Sequence, residues 1–409
     1  MTNLDWPLMK NSICDYQKKV MTDFINGDNR FTNGEKVEEF EGRWAEWMGM
    51  DKAVFVNSGG SANLLLLDAV AELLFKEHPR VSFKRRANTE LSYTNLPMRV
   101  LVPSCTWGTT IAPLMQVGYD IEYCDIDLDT YSFCRDNMLR IREAKDRDSV
   151  RIDVVWITHL LGSPSNIELI KNIFPEALIL EDCCESHGAR FNNQKVGTFG
   201  IGSTFSFYFG HHMTTVEGGI VCTNNKDLYE LMRMKRSHGL AREASPDVFK
   251  TIKDSYPDLD ERFLFPTVGY NLRNVEINAV LGLEQLKHLD NWINVRKDNL
   301  KMFNKILSKY GDEFRTVKED GNSSFALPFV CKDKAKKDKL QQHLSDSGVE
   351  TRPFLVGNIV RQPFISHPTP EAFVNSEFLH NNAFYIGNNQ FINKDNMAAL
   401  EDVIANVYS

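Results

Sequence analysis

Short apolar runs alternate along this chain with helical stretches, and that alternation limits the fold more than any other feature. Ala53-Val-Phe-Val56 reads as a strand, Asn57-Ser-Gly-Gly-Ser-Ala62 as a turn, and an apolar-rich helix starts near Asn63. The pattern recurs: residues 99–102 read as strand, 104–110 as turn, 111–117 as helix and 121–124 as strand, with further short strands at 152–158, 178–180 and 219–223. Strands that lack polar alternation are buried on both faces, so a mostly parallel sheet covered by helices on both sides is expected, an α/β domain of three layers.

Before this unit, Val37, Phe40, Trp44 and Trp47 recur at helical spacing and Gly49 follows as a stop, predicting an amphipathic helix over 35–48. Residues 76–99 are polar and basic without a clear period and read as a long surface excursion. A long helical pattern runs from 276 to about 308, and Ser323-Ser-Phe-Ala-Leu-Pro-Phe-Val330 opens a new strand set. The domain boundary is therefore placed near 290, giving 1–290 and 291–409. The charge run 332–339 reads as a solvated helix face.

Composition excludes several classes of function. Lys and Arg total 47 against 55 Asp and Glu, a net charge of −8, the wrong sign for a chain that grips nucleic acid or an anionic membrane. The most apolar stretch, 62–75, is interrupted by Asp68 and Glu72 and is shorter than the ~20 residues a bilayer needs. The N-terminus does not read as a signal peptide, and eight cysteines are too sparse for a disulfide scaffold, so a reducing cytoplasm is expected.

Three segments carry chemistry. The Asn57–Ala62 turn offers free N–H groups at a helix start, a recipe for holding phosphate, although such a turn is as often structural. Ile179-Leu-Glu-Asp182 ends a strand in an acid, where open α/β sheets bind ligands; a helix cap is the plainer role for Asp182. The third runs from Ser203 through Ser206 and Phe207-Tyr-Phe-Gly-His211-His212 to Gly219.

Phosphate turn, strand-end acid and Ser-x-x-x-x-His, in that order, resemble the DegT/DnrJ/EryC1/StrS family of pyridoxal-phosphate sugar enzymes of fold type I. Further matching segments are Arg30 to Glu41, Pro103-Ser-Cys-Thr-Trp107, Arg236-Ser-His-Gly239 and Gly269-Tyr-Asn-Leu-Arg273 leading to Glu276-Ile-Asn-Ala279. The resemblance implies a seven-stranded large domain, a smaller α+β C-terminal domain and a homodimer with shared sites. It also implies that Gly60, Ser61 and Ser206 bind cofactor phosphate, with Asn271 reaching it from the neighbouring subunit. Asp182 would pair with the pyridine nitrogen, Trp107 would stack on the ring, and Arg242 and Arg273 would bind carboxylates or the sugar diphosphate; interface salt bridges are the plainer role for these arginines.

Two departures redirect the expectation. The family's aminotransferases have a lysine where this chain has His211, and usually a glutamine where it has Glu185. An imidazole cannot form the Schiff base but can move protons, so pyridoxal or pyridoxamine phosphate would be held without a covalent tether. Both changes resemble the nucleotide-sugar 3-dehydratase branch, especially its GDP-linked members. With no Cys-x-Cys pair, neither an iron–sulfur cluster nor another metal is expected. The implied reaction removes the C3 hydroxyl of a nucleotide-linked 4-keto-6-deoxy sugar, with GDP-4-keto-6-deoxymannose foremost. L-Glutamate would regenerate the pyridoxamine form and ammonia would be released. A 4-aminotransferase and a catalytically inactive homologue remain open, as do the nucleotide and a heptose substrate.

Overall fold

The computed structural model describes residues 4–77, 82–85, 91–94, 98–147, 151–366 and 369–408. Seven strands form the central sheet: β1 (Lys52–Val56), β2 (Arg99–Pro103), β3 (Asp120–Cys124), β4 (Val154–Thr158), β5 (Leu178–Asp182), β6 (Gly202–Ser206) and β7 (Gly219–Thr223). Their spatial order is β1-β7-β6-β5-β4-β2-β3. β7 is antiparallel to both neighbours and every other pair is parallel. All strands but β7 therefore open their carboxyl ends on one edge, which is where such a sheet gathers a ligand site.

Helices α1 (Asp15–Asn26), α2 (Glu35–Met48), α3 (Gly59–Glu77) and α4 (Gly108–Val117) precede or follow these strands. On one face α3, α4 and the helix Lys226–Arg236 enclose a core containing Leu65, Val70, Val100, Ile111, Trp156 and Met232. On the other, α2 packs Phe40 and Trp44 against Phe55, Phe205 and Phe207, and the helices Arg135–Arg147 and Ile167–Ile173 complete the layer. The three-layer α/β architecture follows the hydrophobic pattern.

The helix over 35–48 ends as its sequence predicts, with Gly49 in the left-handed region at φ 75°. Its opening is satisfied from outside: the Glu276 carboxylate accepts from the N–H groups of Gly34, Lys36 and Val37, each at 2.9 Å. Glu41 accepts from Phe55 N at 2.7 Å and pairs with buried Arg236. Glu41, Arg236 and Glu276 lie in three of the family-like segments, and all three hold architecture.

Four expectations need correction. The helix placed near Asn63 begins at Gly59, because the glycine turn is itself the first helical turn; a Cβ on Gly59 would stand 2.5 Å from Ser206 Cβ. The strand placed at 152–158 begins at Val154. The pattern over 276–308 is two helices, Glu276–Leu286 and Leu289–Leu307; both bury their stripes, so the apolar period continues through the bend. Within 76–99, Ser82–Arg85 and Leu91–Thr94 pair as an antiparallel ribbon, and residues 78–81, 86–90 and 95–97 of that excursion lie outside the described residues.

The C-terminal part carries a four-stranded antiparallel sheet of β8 (Phe314–Arg315), β9 (Ala326–Cys331), β10 (Thr351–Pro353) and β11 (Ala383–Gly387), in the order β8-β9-β11-β10. The run 332–339 enters the helix Lys334–Asp346, where Asp333 accepts from Lys336 N at 2.8 Å and only Leu340 and Leu344 are buried. The chain's beginning returns to this sheet. Trp6 Nε1 donates to Gly387 O at 2.9 Å, Trp6 N donates to Gly348 O, and the indole is buried among Val349, Phe354 and Ile386. Removing that ring leaves a large cavity, so Trp6→Ala is expected to cost about 3 kcal/mol or more, read by urea denaturation with tryptophan-independent far-UV dichroism.

Candidate active site

A cleft of about 690 Å³ lies at the carboxyl edge of the sheet, between it and the C-terminal part. Its floor is Asp182, the last residue of β5, which is buried. Oδ2 accepts from Asn63 Nδ2 at 3.0 Å and Thr110 Oγ1 at 2.9 Å, and Oδ1 accepts from Cys184 N at 3.1 Å. Asn63 is oriented in turn by Thr204 Oγ1, which donates to its Oδ1 at 2.6 Å, and by its own bond to Thr109 O. One carboxylate is thus fixed by α3, α4 and the turn after β5, with lone pairs still turned to the cleft.

Below it, His159, Glu181 and Cys183 form the one cluster of possible metal ligands among the described residues. Their chemistry is already committed. Glu181 accepts from the N–H groups of Gly197, Phe199 and Gly200 and from His159 Nε2, while His159 Nδ1 accepts from Ser165 N. Glu181 and His159 therefore brace β5 through bonds that already occupy their ligand atoms.

The opposite corner is the glycine turn. Ser58, Gly59, Gly60 and Ser206 line the cleft, and a Cβ on Gly219 would lie 2.2 Å from Ser58 O, so the turn sits directly on the ends of β6 and β7. Ser61 N already donates to Ser58 Oγ at 3.1 Å, showing that this amide faces an oxygen acceptor. Helix start, hydroxyls and small residues together make an anion cradle. Trp107, at the start of α4, is half exposed (51%) on the rim, leaving an indole face available to a planar ring.

His211 closes the site. Its Nδ1 lies 2.5 Å from Cys184 O; a carbonyl only accepts, so the proton is on Nδ1 and Nε2 keeps its lone pair. Burial pushes the imidazole down to about 4, with the Cys184 carbonyl opposing and Arg296 assisting. Near neutral pH the ring is therefore an uncharged base. Glu185 accepts from Leu161 N at 2.9 Å, and burial pushes its carboxyl up to about 7.

Of the residues singled out from the sequence, Gly60, Trp107, Asp182, Glu185, Ser206 and His211 converge on the cleft. Ser61 follows Gly60 in the chain but does not line the cleft. Asn271, Arg242 and Arg273 do not line it: Arg273 Nε donates to Asn271 Oδ1 at 3.1 Å, and Arg242 is exposed and donates to Arg262 O. Sequence reasoning missed Asn63 and Thr110, although a lone amide heading Leu64-Leu65-Leu66-Leu67 was a usable signal. It also missed the opposite wall, formed by Leu8, Met9, Phe325, Glu350, Arg352 and Tyr385, for which no local signal exists.

This fold and site define a pyridoxal-phosphate sugar-enzyme scaffold, and the family model for the DegT/DnrJ/EryC1/StrS aminotransferase family matches residues 13–80 and 88–407; the chain belongs to that family. Among its relatives, GDP-4-keto-6-deoxy-D-mannose 3-dehydratase of Escherichia coli O55:H7 is 31% identical over 412 residues, covering 98% of this chain and all of that one. The solved E. coli enzyme with bound hydrated pyridoxal phosphate superposes with a TM-score of 0.84 at 30% identity, over 97% of this chain and 98% of that one. A structure of GDP-4-keto-6-deoxymannose 3-dehydratase with a trapped cofactor–glutamate geminal diamine gives 0.82 at 29% identity, over 97% and 99%.

The Glu185 shift has a consequence for stability. Its carboxyl titrates above the ordinary 4.5, so folding takes up a proton between the two values, and the cost of ionising it in place grows with pH across that window and persists above it. Glu185→Gln cannot ionise. Relative to the parent, the apoprotein of this variant is expected to gain roughly 2 kcal/mol between about pH 5 and about pH 8, measured by urea denaturation at both.

Proposed function

We propose that this chain is a pyridoxal-phosphate-dependent 3-dehydratase of a nucleotide-linked 4-keto-6-deoxy sugar, with GDP-4-keto-6-deoxymannose as the foremost substrate and L-glutamate as the amino donor. The observation that carries the reading is His211: a neutral, oriented imidazole stands where the family's aminotransferases have a lysine. The cradle, the strand-end carboxylate and the exposed indole fit the cofactor's phosphate, pyridine nitrogen and ring face. Bound there, pyridoxamine phosphate supplies the amino group that condenses with the C4 ketone and the two electrons that loss of the C3 hydroxyl requires.

The protein's part is binding, orientation and proton transfer. Gly60, Ser61 and Ser206 hold the phosphate at the start of α3. Asp182, locked by Asn63 and Thr110, keeps the pyridine nitrogen protonated. Trp107 covers one face, and Glu185 contacts the cofactor from the turn after β5. His211 Nε2 takes up and returns the proton at the cofactor's exocyclic carbon, while its Nδ1–H stays on the Cys184 carbonyl. Nothing ties the cofactor covalently.

The second subunit of a homodimer supplies Asn271 to the phosphate and Arg242 and Arg273 to the anionic groups of sugar or donor. None of the three lines the cleft of its own chain, which favours this arrangement. The division into a large unit, 1–290, and a small one, 291–409, is kept, with residues 4–8 crossing onto the small one. Among the described residues no helix is long and apolar enough to cross a membrane, and the reading places the enzyme in the cytoplasm, acting on neither nucleic acid nor membrane.

The deciding assay presents glutamate with GDP-, CDP- and dTDP-linked 4-keto-6-deoxy sugars. Ammonia release with a 3-deoxy product is expected, fastest for the GDP sugar. Nitrogen retained at C4 would mean an aminotransferase, and neither product an inactive homologue. Borohydride treatment followed by denaturation should release the reduced cofactor; cofactor on a lysine peptide would refute the untethered site. In the His211→Lys variant the cofactor is expected to become covalently held and dehydration to fall at least ~100-fold, the lower range for losing a positioned base. Mixing His211→Ala and Asn271→Ala chains should restore activity in hybrids, because one site in each hybrid is intact.

A further inference from the structure

Arg296, on the helix Leu289–Leu307, is fully buried, yet no carboxylate stands within ion-pair distance of it among the described residues. Buried cations are ordinarily paired. This one donates only to backbone carbonyls: Nη1 to Phe325 O at 3.0 Å and to Asn388 O, and Nη2 to His211 O at 3.4 Å. Asn388 Nδ2 donates back to Arg296 O and to Ser324 O, each at 3.1 Å, and Asn299 Nδ2 donates to Asn388 Oδ1 at 2.9 Å. The acceptors come from the turn that carries His211, the entry to β9 and the exit of β11.

The same segment of the small unit reaches the histidines directly. The Phe325 ring lies 5.2 Å from the His211 ring, and His212 Nε2 lies 3.2 Å from Ser323 O. The base is therefore held from the sheet side through Cys184 and from the small unit through Arg296.

We propose that Arg296 is a positioning residue for His211: its guanidinium fork fixes the His211 turn against residues 323–325, and its unpaired charge adds to burial in disfavouring a second positive charge on the neighbouring imidazole. This rests on the reading of His211 as the base. Asp182, Cys184 and Glu185 face His211 from β5 and its following turn, His187 lies 6.1 Å away and Tyr208 6.3 Å, and Tyr385 lines the far wall. Ionised Asp182 or Glu185 draws a proton towards His211. Burial and Arg296 oppose this, and Arg296 is the only one of the opposing influences that a single substitution removes without emptying the cleft wall.

The test uses the full-length protein carrying 13Cε1-labelled histidine, with the His211 resonance assigned by its loss in His211→Gln. In the parent it should keep its neutral value on acidification until close to its low pKa. Arg296→Gln retains an N–H donor for the carbonyls but no charge, and its His211 midpoint is expected about one unit higher. Arg296→Lys retains the charge but loses the fork; its midpoint should match the parent while the single-turnover rate of pyridoxamine formation from glutamate falls ~10-fold through misplacement of the base. An unchanged midpoint in Arg296→Gln, or an equal rise in both variants, overturns the electrostatic role. A parental rate in Arg296→Lys overturns the positioning role, even if Arg296→Gln does not fold. If no sugar is dehydrated by the parent while these titrations behave as stated, the assigned reaction falls and the control of His211 by Arg296 stands.

Discussion

Asp182 is the interaction on which the rest of the site depends. A carboxylate at the buried end of a parallel strand is tolerable only if its oxygens are satisfied, and here the donors come from three separate elements: Asn63 on α3, Thr110 on α4 and the backbone at Cys184. The strand cannot present its acid without both helices in place. That same requirement sets the glycine turn that opens α3 and the Trp107 corner before α4 at fixed distances from the acid. The glycine turn, the Trp107 corner and the Asp182 carboxylate, the three places proposed to hold the cofactor, are thereby one unit.

His211 belongs to that unit through its partner. The Cys184 residue whose N–H binds Asp182 Oδ1 offers its carbonyl to His211 Nδ1, so one residue orients both the acid on the floor of the cleft and the imidazole beside it. The tautomer follows from hydrogen bonding, and the low proton affinity follows from burial against Phe325 and the small unit. On the reading proposed here, histidine in place of the aminotransferases' lysine would change the chemistry of such a scaffold from tethered group transfer to untethered proton transfer. The supporting family-like residues Glu41, Arg236 and Glu276 hold helix starts and strand ends, and they serve either chemistry.

Much of the site was readable because its residues sit where the chain changes from strand to turn. Asp182 and Ser206 end strands and Gly60 lies in the turn that follows one, and it was the order of the three segments, not any one residue type, that singled them out. Asn63 and Thr110 were missed because they act one layer below the surface of the site, and a buried amide in an apolar helix is marked only by its isolation. Phe325, Glu350, Arg352 and Tyr385 carry no local mark at all. Nothing in their immediate sequence says that β9, β10 and β11 will face the mouth of a sheet built some 150 residues earlier.

Local pattern therefore determined the layered α/β class and six of the seven strands of the large sheet, because periodicity and turn chemistry act over a few residues, but it did not mark Gly202–Ser206 as a strand. Even at that range it placed the helix start too late, since only the proximity of Ser206 to Gly59 shows that the turn is already helical. The spatial order of the strands, the convergence on Asp182, the tautomer and neutrality of His211 and the grip of Arg296 belong to tertiary structure. Each depends on desolvation and on hydrogen-bond partners far away in the chain, and a side chain's charge and proton position are set by what surrounds it after folding.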